Sequence, residues 1–165
     1  MAGFENAKGD IAYLERRFTQ NVNAGEKWMG AEFKMTIEEY PDLEVLIRTT
    51  QIGAMGRADA EDFGPMGLAI VQNGPLENKG EIAVTAVETI TGTVLKMIRE
   101  IVRDKKMVTV RIESTPESTS GKGSEHLNFR YKHVKIRSDV IDLSTEDNVA
   151  IVKPPMTLMY NWMDI

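Results

Sequence analysis

Apolar residues recur at every second position in segment after segment of this chain, and that period constrains the fold more than any other feature. Ala31, Phe33, Met35 and Ile37 point one way and Glu32, Lys34, Thr36 and Glu38 the other. A half-buried strand sorts side chains in this manner, because successive residues face opposite sides of a sheet. Pro41-Asp42 then reads as a turn. Leu43, Val45 and Ile47 alternate again, with Leu46 on the opposite face, so a second strand is expected to run to about Ile52 and close a hairpin with the first. The same alternation returns at Lys79 to Glu88 (Ile82, Val84, Ala86) and at Met107 to Glu113 (Val108, Val110, Ile112). In the stretch that follows, Leu127, Phe129 and Tyr131 hold one phase and Val134 and Ile136 the other. A change of phase inside one strand predicts a bulge or a bend. The last strand, Met156 to Asp164, is apolar on both faces, with Met156, Leu158, Tyr160 and Trp162 against Thr157, Met159, Asn161 and Met163. Such a strand belongs in the middle of a sheet or at a subunit boundary.

Two segments carry the other period. Thr91 to Lys105 places Val94, Leu95, Ile98, Ile101 and Val102 at spacings of three and four, with Lys96, Arg99, Glu100 and Arg103 turned away. This is an amphipathic helix packed on the strands, with Thr89 or Thr91 placed to cap it. Near the start, Ile11, Leu14 and Phe18 allow a short helix that Asn21, Asn23 and Gly25 would end. With so thin an apolar stripe, residues 1–30 read as an arm, laid over the core or docked on a neighbouring subunit.

Residues 53–67, GAMGRADAEDFGPMG, fit neither period. The segment holds four glycines and one proline, with Arg57 set against Asp59, Glu61 and Asp62. Loops of about 15 residues without structure are uncommon in compact domains and are usually functional. Met55, Phe63 and Met66 make it too apolar for a solvated linker, so it folds back on its own domain or docks on something else. Leu68 to Gln72 follows as a short strand and Asn73-Gly74-Pro75 as its turn. Ser114 to Glu125 is a flexible surface loop by composition, and Asp139 to Asp147 a polar connection. Together these elements predict about seven or eight strands in a mainly β single domain over residues 1–165, a β-sandwich or barrel with one packed helix and a long hairpin loop.

Chemistry is harder to find. The chain has no cysteine, which removes thiol nucleophiles, thiolate metal sites and disulfides. Its two histidines, His126 and His133, would stand on opposite faces of a regular strand. Ser120-Gly121-Lys122-Gly123-Ser124 imitates a phosphate loop, but Pro116 stands where the first glycine is required and Gly123 where Ser or Thr is required. Neither Asp59, Glu61 and Asp62 nor Asp139, Asp142, Glu146 and Asp147 has the spacing of a calcium loop. A formal charge of −5 argues against a surface that holds nucleic-acid phosphates. No run reaches the roughly 18 apolar residues of a membrane-spanning helix, so the chain is expected to be soluble and to need no cofactor or metal. The expectation is a subunit that assembles with its own copies and is not an enzyme.

The order of elements, and above all YKHVKIRSDVIDLSTEDNVAIVKPPMTLMYNWMDI from Tyr131 to Ile165, resembles the tail tube proteins of contractile-tailed bacteriophages. The likeness extends more distantly to type VI secretion tubes. The helix TGTVLKMIREIVRDKK and residues 53–67 fall where that family has its packing helix and its inter-ring loop. The resemblance implies hexameric rings that stack into a tube inside a sheath, with Met55, Arg57, Asp59, Glu61, Asp62, Phe63 and Met66 reaching the next ring. It also implies a lumen that passes DNA and a tape measure protein without binding DNA specifically, and a place in a virion tail built in the bacterial host cytoplasm. Six copies at −5 each make an acidic ring, and Glu38, Glu39, Glu44 and Glu81, near strands expected to line the channel, are the candidate lumen acids. A tube terminator, a baseplate ring or a type VI-like tube would share these features. A small-molecule-binding barrel is the rival from another class, and would need an enclosed apolar cavity.

Overall fold

The structure, a computed structural model, describes residues 9–165. The first eight residues of the expected arm lie outside the described residues. The chain divides into a short N-terminal unit ending at Ala31 and a second unit from Glu32 to Ile165.

In the first unit, α1 (Ile11–Asn23) forms where the sequence predicts it. The Asp10 carboxylate accepts a hydrogen bond from the Tyr13 amide at 3.0 Å and so caps its free N-terminal donors. Beyond its last turn the chain leaves through Gly25 at φ 86°, a conformation glycine adopts at little cost. Ile11, Leu14, Phe18 and Val22 line one side of α1, and all four are exposed.

The second unit is a mainly β body built on a nearly closed, barrel-like sheet. Its strands are β1 (Phe33–Ile37), β2 (Ile47–Thr49), β5 (Gly80–Ala86), β6 (Val108–Ser114), β7 (Asn128–Ser138), β8 (Pro155–Tyr160) and β9 (Trp162–Met163). They run in the order β1-β6-β7-β8-β5-β2, with β9 paired to β7, and every pairing is antiparallel. The alternating residues Met35, Ile37, Ile82, Val84, Ala86, Val108, Val110, Ile112, Met156 and Leu158 face a single core. The expected last strand divides at Asn161: β8 is central, between β7 and β5, while β9 pairs β7 and its change of phase leaves Trp162 exposed and Met163 buried.

The predicted change of phase in β7 is real. Tyr131 and Val134 are an odd number of residues apart, yet both are completely buried. Between them His133 takes φ 52°, a left-handed conformation, and the register with β6 shifts at the same place. One residue out of phase lets a single strand turn both ends of its apolar set to one core.

Helix α2 (Thr93–Asp104) covers the core with Val94, Met97, Ile98 and Ile101. Leu95 packs at the margin, but Val102 is 60% exposed, against expectation. Each residue turns the helix by about 100°, so after Ile101 the next position swings off the buried side and Met97 takes the inward place. Thr89 takes part in the capping, as expected, together with a carboxylate that was not. Gly92 holds the N-cap position, and Thr89 Oγ1 accepts from the Thr93 amide at 3.3 Å. The Glu88 carboxylate accepts from the Val94 and Leu95 amides at 3.0 and 2.7 Å, which also sets a negative charge against the positive end of the helix dipole.

The expected hairpin between the first two strands does not form. Residues Pro41–Leu46 coil into a 3₁₀ turn, and β1 pairs with β6 while the short β2 pairs with β5. Pro41 pre-sets the first turn, and Leu43, Leu46 and Ile47 are the residues turned inward, at spacings of three and four. Val45, the middle of the supposed alternation, is exposed.

Because Glu88 satisfies two helix donors, Glu88→Ala is expected to cost about 1 kcal/mol of stability. In a chain of this size that lowers the thermal midpoint by about 2–4 °C. Circular dichroism melts would check this, and an unchanged midpoint would mean that the carboxylate is not the cap.

Candidate functional site

Residues 53–67, expected as an irregular loop, form the first half of a separate two-stranded ribbon. Strand β3 (Arg57–Phe63) pairs with β4 (Ala69–Leu76), and the chain reverses over Gly64-Pro65-Met66-Gly67, where Met66 and Gly67 take φ 64° and 77°. Asn73-Gly74-Pro75 is therefore not a turn. It lies inside β4, where the register shifts and Arg57–Asp59 faces Asn73–Leu76. Proline, with no amide to donate, is tolerated at such a bulge. Arg57 Nη1 donates to the Gly74 carbonyl at 3.3 Å across it.

The predicted residues Met55, Phe63 and Met66 are all exposed, Phe63 to 68% and Met66 completely. Asp59, Glu61 and Asp62 are exposed with them. The sequence reading missed the partners across the ribbon: Leu68, Ile70 and Val71 are also exposed, and Ile70 and Val71 face Asp62 and Glu61 in register. Leu68 to Gln72 carries the apolar run of a buried strand, and only its pairing with β3 shows that it projects outward. A ribbon of two strands with both faces wet is marginal in water. Its tip gathers apolar side chains, Phe63, Met66, Leu68 and Ile70, that the described residues leave exposed.

Of the four candidate acids only Glu81 lies on a strand; Glu38 and Glu39 follow the end of β1, and Glu44 lies in the 3₁₀ turn. Glu38 is held between two arginines: Arg130 donates from Nε and Nη2 at 3.0 Å to its two oxygens, and Arg111 Nη2 donates at 3.3 Å. Glu39 accepts from the Thr109 amide with both oxygens, at 3.1 and 3.0 Å. Glu44 accepts from Thr36 Oγ1 at 3.1 Å and pairs with Lys34 at 3.5 Å. Glu81 stands exposed on β5, opposite Met159. Nearby, Lys132 pairs with Asp164 at 2.8 Å. The outer face of β1, β6 and β7 thus interleaves both signs of charge, and three of the four acids are engaged by their own subunit. Composition shows the acidic excess but cannot show which acids a base of the same chain already holds.

His126 and His133 are both exposed, the first in a 3₁₀ turn and the second at the β7 bulge. Among the described residues no group of three or more histidines and carboxylates gathers that could hold a metal ion. No helix among them is long and apolar enough to cross a membrane.

The hydrogen bonds from Arg130, then the positive charges of Arg130 and Arg111, hold the Glu38 carboxyl below its ordinary value of 4.5. A lowered folded-state value means that the contribution to stability is present above pH 4.5 and lost as pH falls through the lower value. Glu38→Gln is therefore expected to lower the urea midpoint at pH 7 and to flatten the fall of that midpoint below pH 4.5. Urea titrations at pH 7 and pH 3 would check this, and superimposed acid limbs would show that the arginine pair adds nothing.

No family model matches the sequence, and no curated protein does. The fold itself has clear counterparts among solved structures. The chain is similar to the tube-terminating cap of the anti-feeding prophage, with TM-score 0.64 and 13% identity over 85% of this chain and 91% of that one. It is similar to a chain of the sheath–tube complex of the extracellular contractile injection system PVC, with TM-score 0.63 and 14% identity over 88% and 95%. The SPP1 tail tube is similar at TM-score 0.54 and 15% identity over 83% and 77%. At these identities the likeness is one of backbone architecture, and the chain has the fold of the tube and tube-terminating proteins of contractile injection systems and phage tails.

Proposed function

We propose that this chain is the structural subunit of a tail tube. Six copies close into a ring, the rings stack, and the β3–β4 ribbon reaches from one ring to the next. The observation that carries this reading is the ribbon: an apolar tip held in water on a fold shared with tube proteins. The arm of residues 1–30, with the exposed stripe of α1, locks neighbouring subunits. A sheath protein surrounds the tube, and the tape measure protein and then DNA pass through the lumen during ejection, with no specific binding of DNA. Glu38, Glu39, Glu44 and Glu81 are the acids assigned to the channel wall. The pairing of Glu38 and Glu44 with bases makes Glu81 the one of widest reach. The assembled protein resides in the virion tail, after synthesis in the cytoplasm of a bacterial host.

A second reading has its own support. The similarity to a tube-terminating cap matches the similarity to the sheath–tube complex, 0.64 against 0.63 in TM-score. A terminator would form one ring that ends a tube and would not elongate.

Negative-stain electron microscopy of the purified protein at high concentration separates these. Tubes that lengthen with concentration are expected, single rings would favour the terminator, and a monomer that binds one hydrophobic dye molecule stoichiometrically would overturn both. Replacing residues 57–76 by a short Gly-Ser linker is expected to leave folding and ring formation intact and to stop stacking. Loss of the folded domain in that variant would assign the ribbon to the core instead.

A further inference from the structure

The root of the ribbon meets the body at a place where two irregularities coincide, the bulge in β7 and the break between β8 and β9. Tyr131, just before the bulge, has its hydroxyl 3.0 Å from the Gly53 amide and accepts a buried hydrogen bond from it. Its ring lies against that of Tyr160, centroids 4.8 Å apart and tilted by 55°. The Tyr160 phenol is wedged between both legs of the ribbon: a Cβ on Gly53 would stand 2.3 Å from its hydroxyl, and a Cβ on Gly80 2.4 Å. Asn161, in the break, accepts at its carbonyl from Asn78 Nδ2 at 2.7 Å and donates from its own amide side chain to the His133 carbonyl at 2.9 Å. The Ala83 amide donates to Gln51 Oε1 at 2.9 Å. The two legs are joined to each other by the Glu77 amide on the Gly56 carbonyl at 3.2 Å.

We propose that Tyr131, Tyr160 and Asn161 form a socket that positions the ribbon, setting the direction in which β3–β4 leaves the sheet. This rests on the reading of the ribbon as the stacking element. The physical need is one of leverage. A seven-residue strand spans about 24 Å at about 3.4 Å per residue, so a swing of roughly 15° at the root moves the tip by about 6 Å. A docking surface displaced that far misses its site, and a root held rigid in advance avoids the ordering cost at assembly. The socket also accounts for a feature that burial alone leaves idle: glycine at both root positions. Tyrosine, unlike the aliphatic residues of the core, reaches out of the sheet and offers an oxygen to the incoming backbone.

The chain has no cysteine, so two introduced ones can be spin-labelled uniquely. With labels at Glu61→Cys in β3 and Lys135→Cys in β7, the parent protein is expected to give one narrow distance distribution. Tyr131→Phe removes only the hydroxyl, and Asn78→Ala cuts the second tie at an exposed position. Each is expected to widen the distribution at least twofold. In the unlabelled protein each should lower the yield of tubes at least tenfold while rings still form. Leu68→Asp at the tip serves as the control for stacking. If it abolishes tubes while Tyr131→Phe and Asn78→Ala keep a narrow distribution and full tube yield, the socket is refuted and the stacking role stands. If tubes also survive Leu68→Asp, the stacking role fails and the socket falls with it. Should Tyr131→Phe fail to fold, Asn78→Ala decides alone, because its side chain lies outside the core.

Discussion

One strand joins the two halves of the main sheet. β7 pairs with β6 along its first part, with β8 along its second and with β9 beside the bulge. Such double service requires that the strand bend, and a regular strand cannot bend sharply without losing either its pairing or its alternation. His133 resolves this by taking a left-handed conformation that costs roughly 1–2 kcal/mol for a residue with a side chain. The gain is larger, since Tyr131, Val134 and Ile136 all reach the same core. Fully burying one large apolar side chain is worth about 1.5–3 kcal/mol.

The same bend lies beside the root of the ribbon. A ribbon of two strands has no core of its own, so its order has to come from the ground on which it stands. Tyr131 and Tyr160 supply that ground from inside the body, and the break at Asn161 adds a second tie from outside. Strain in β7, glycines at the root and an exposed apolar tip thus form one connected arrangement. The mixed charges on the face of β1, β6 and β7 form another, where ion pairs on a wet surface contribute little to stability but fix which charges the chain's own bases already hold.

Much of this was legible in the sequence. Period two located β5, β6, β7 and β8, and the shift of phase between Tyr131 and Val134 announced the bulge. Period 3.6 located α2, and the turn residues after Phe18 bounded α1. The failures share a cause. Leu43, Val45 and Ile47 alternate like a strand but lie in a 3₁₀ turn and the start of a very short strand, because Pro41 commits the backbone before burial is decided. Leu68 to Gln72 resembles a core strand and stands in water. In both cases the local pattern is compatible with two structures; proline selects between them at residues 41–47, and pairing with β3 does so for the second segment.

What the sequence determined by itself was the class of fold and the inward face of β1, β5, β6, β7 and β8, since these follow from periods of a few residues and from where proline and glycine interrupt them. Only the tertiary structure decided which strands pair, that residues 57–76 leave the body as a ribbon, and that a tyrosine 78 residues beyond Gly53 holds its root. Side-chain periodicity records a face and not a neighbour. The neighbour is chosen when the whole chain closes on one core, and that choice places β1 beside β6, Glu38 between Arg111 and Arg130, and the ribbon on its socket.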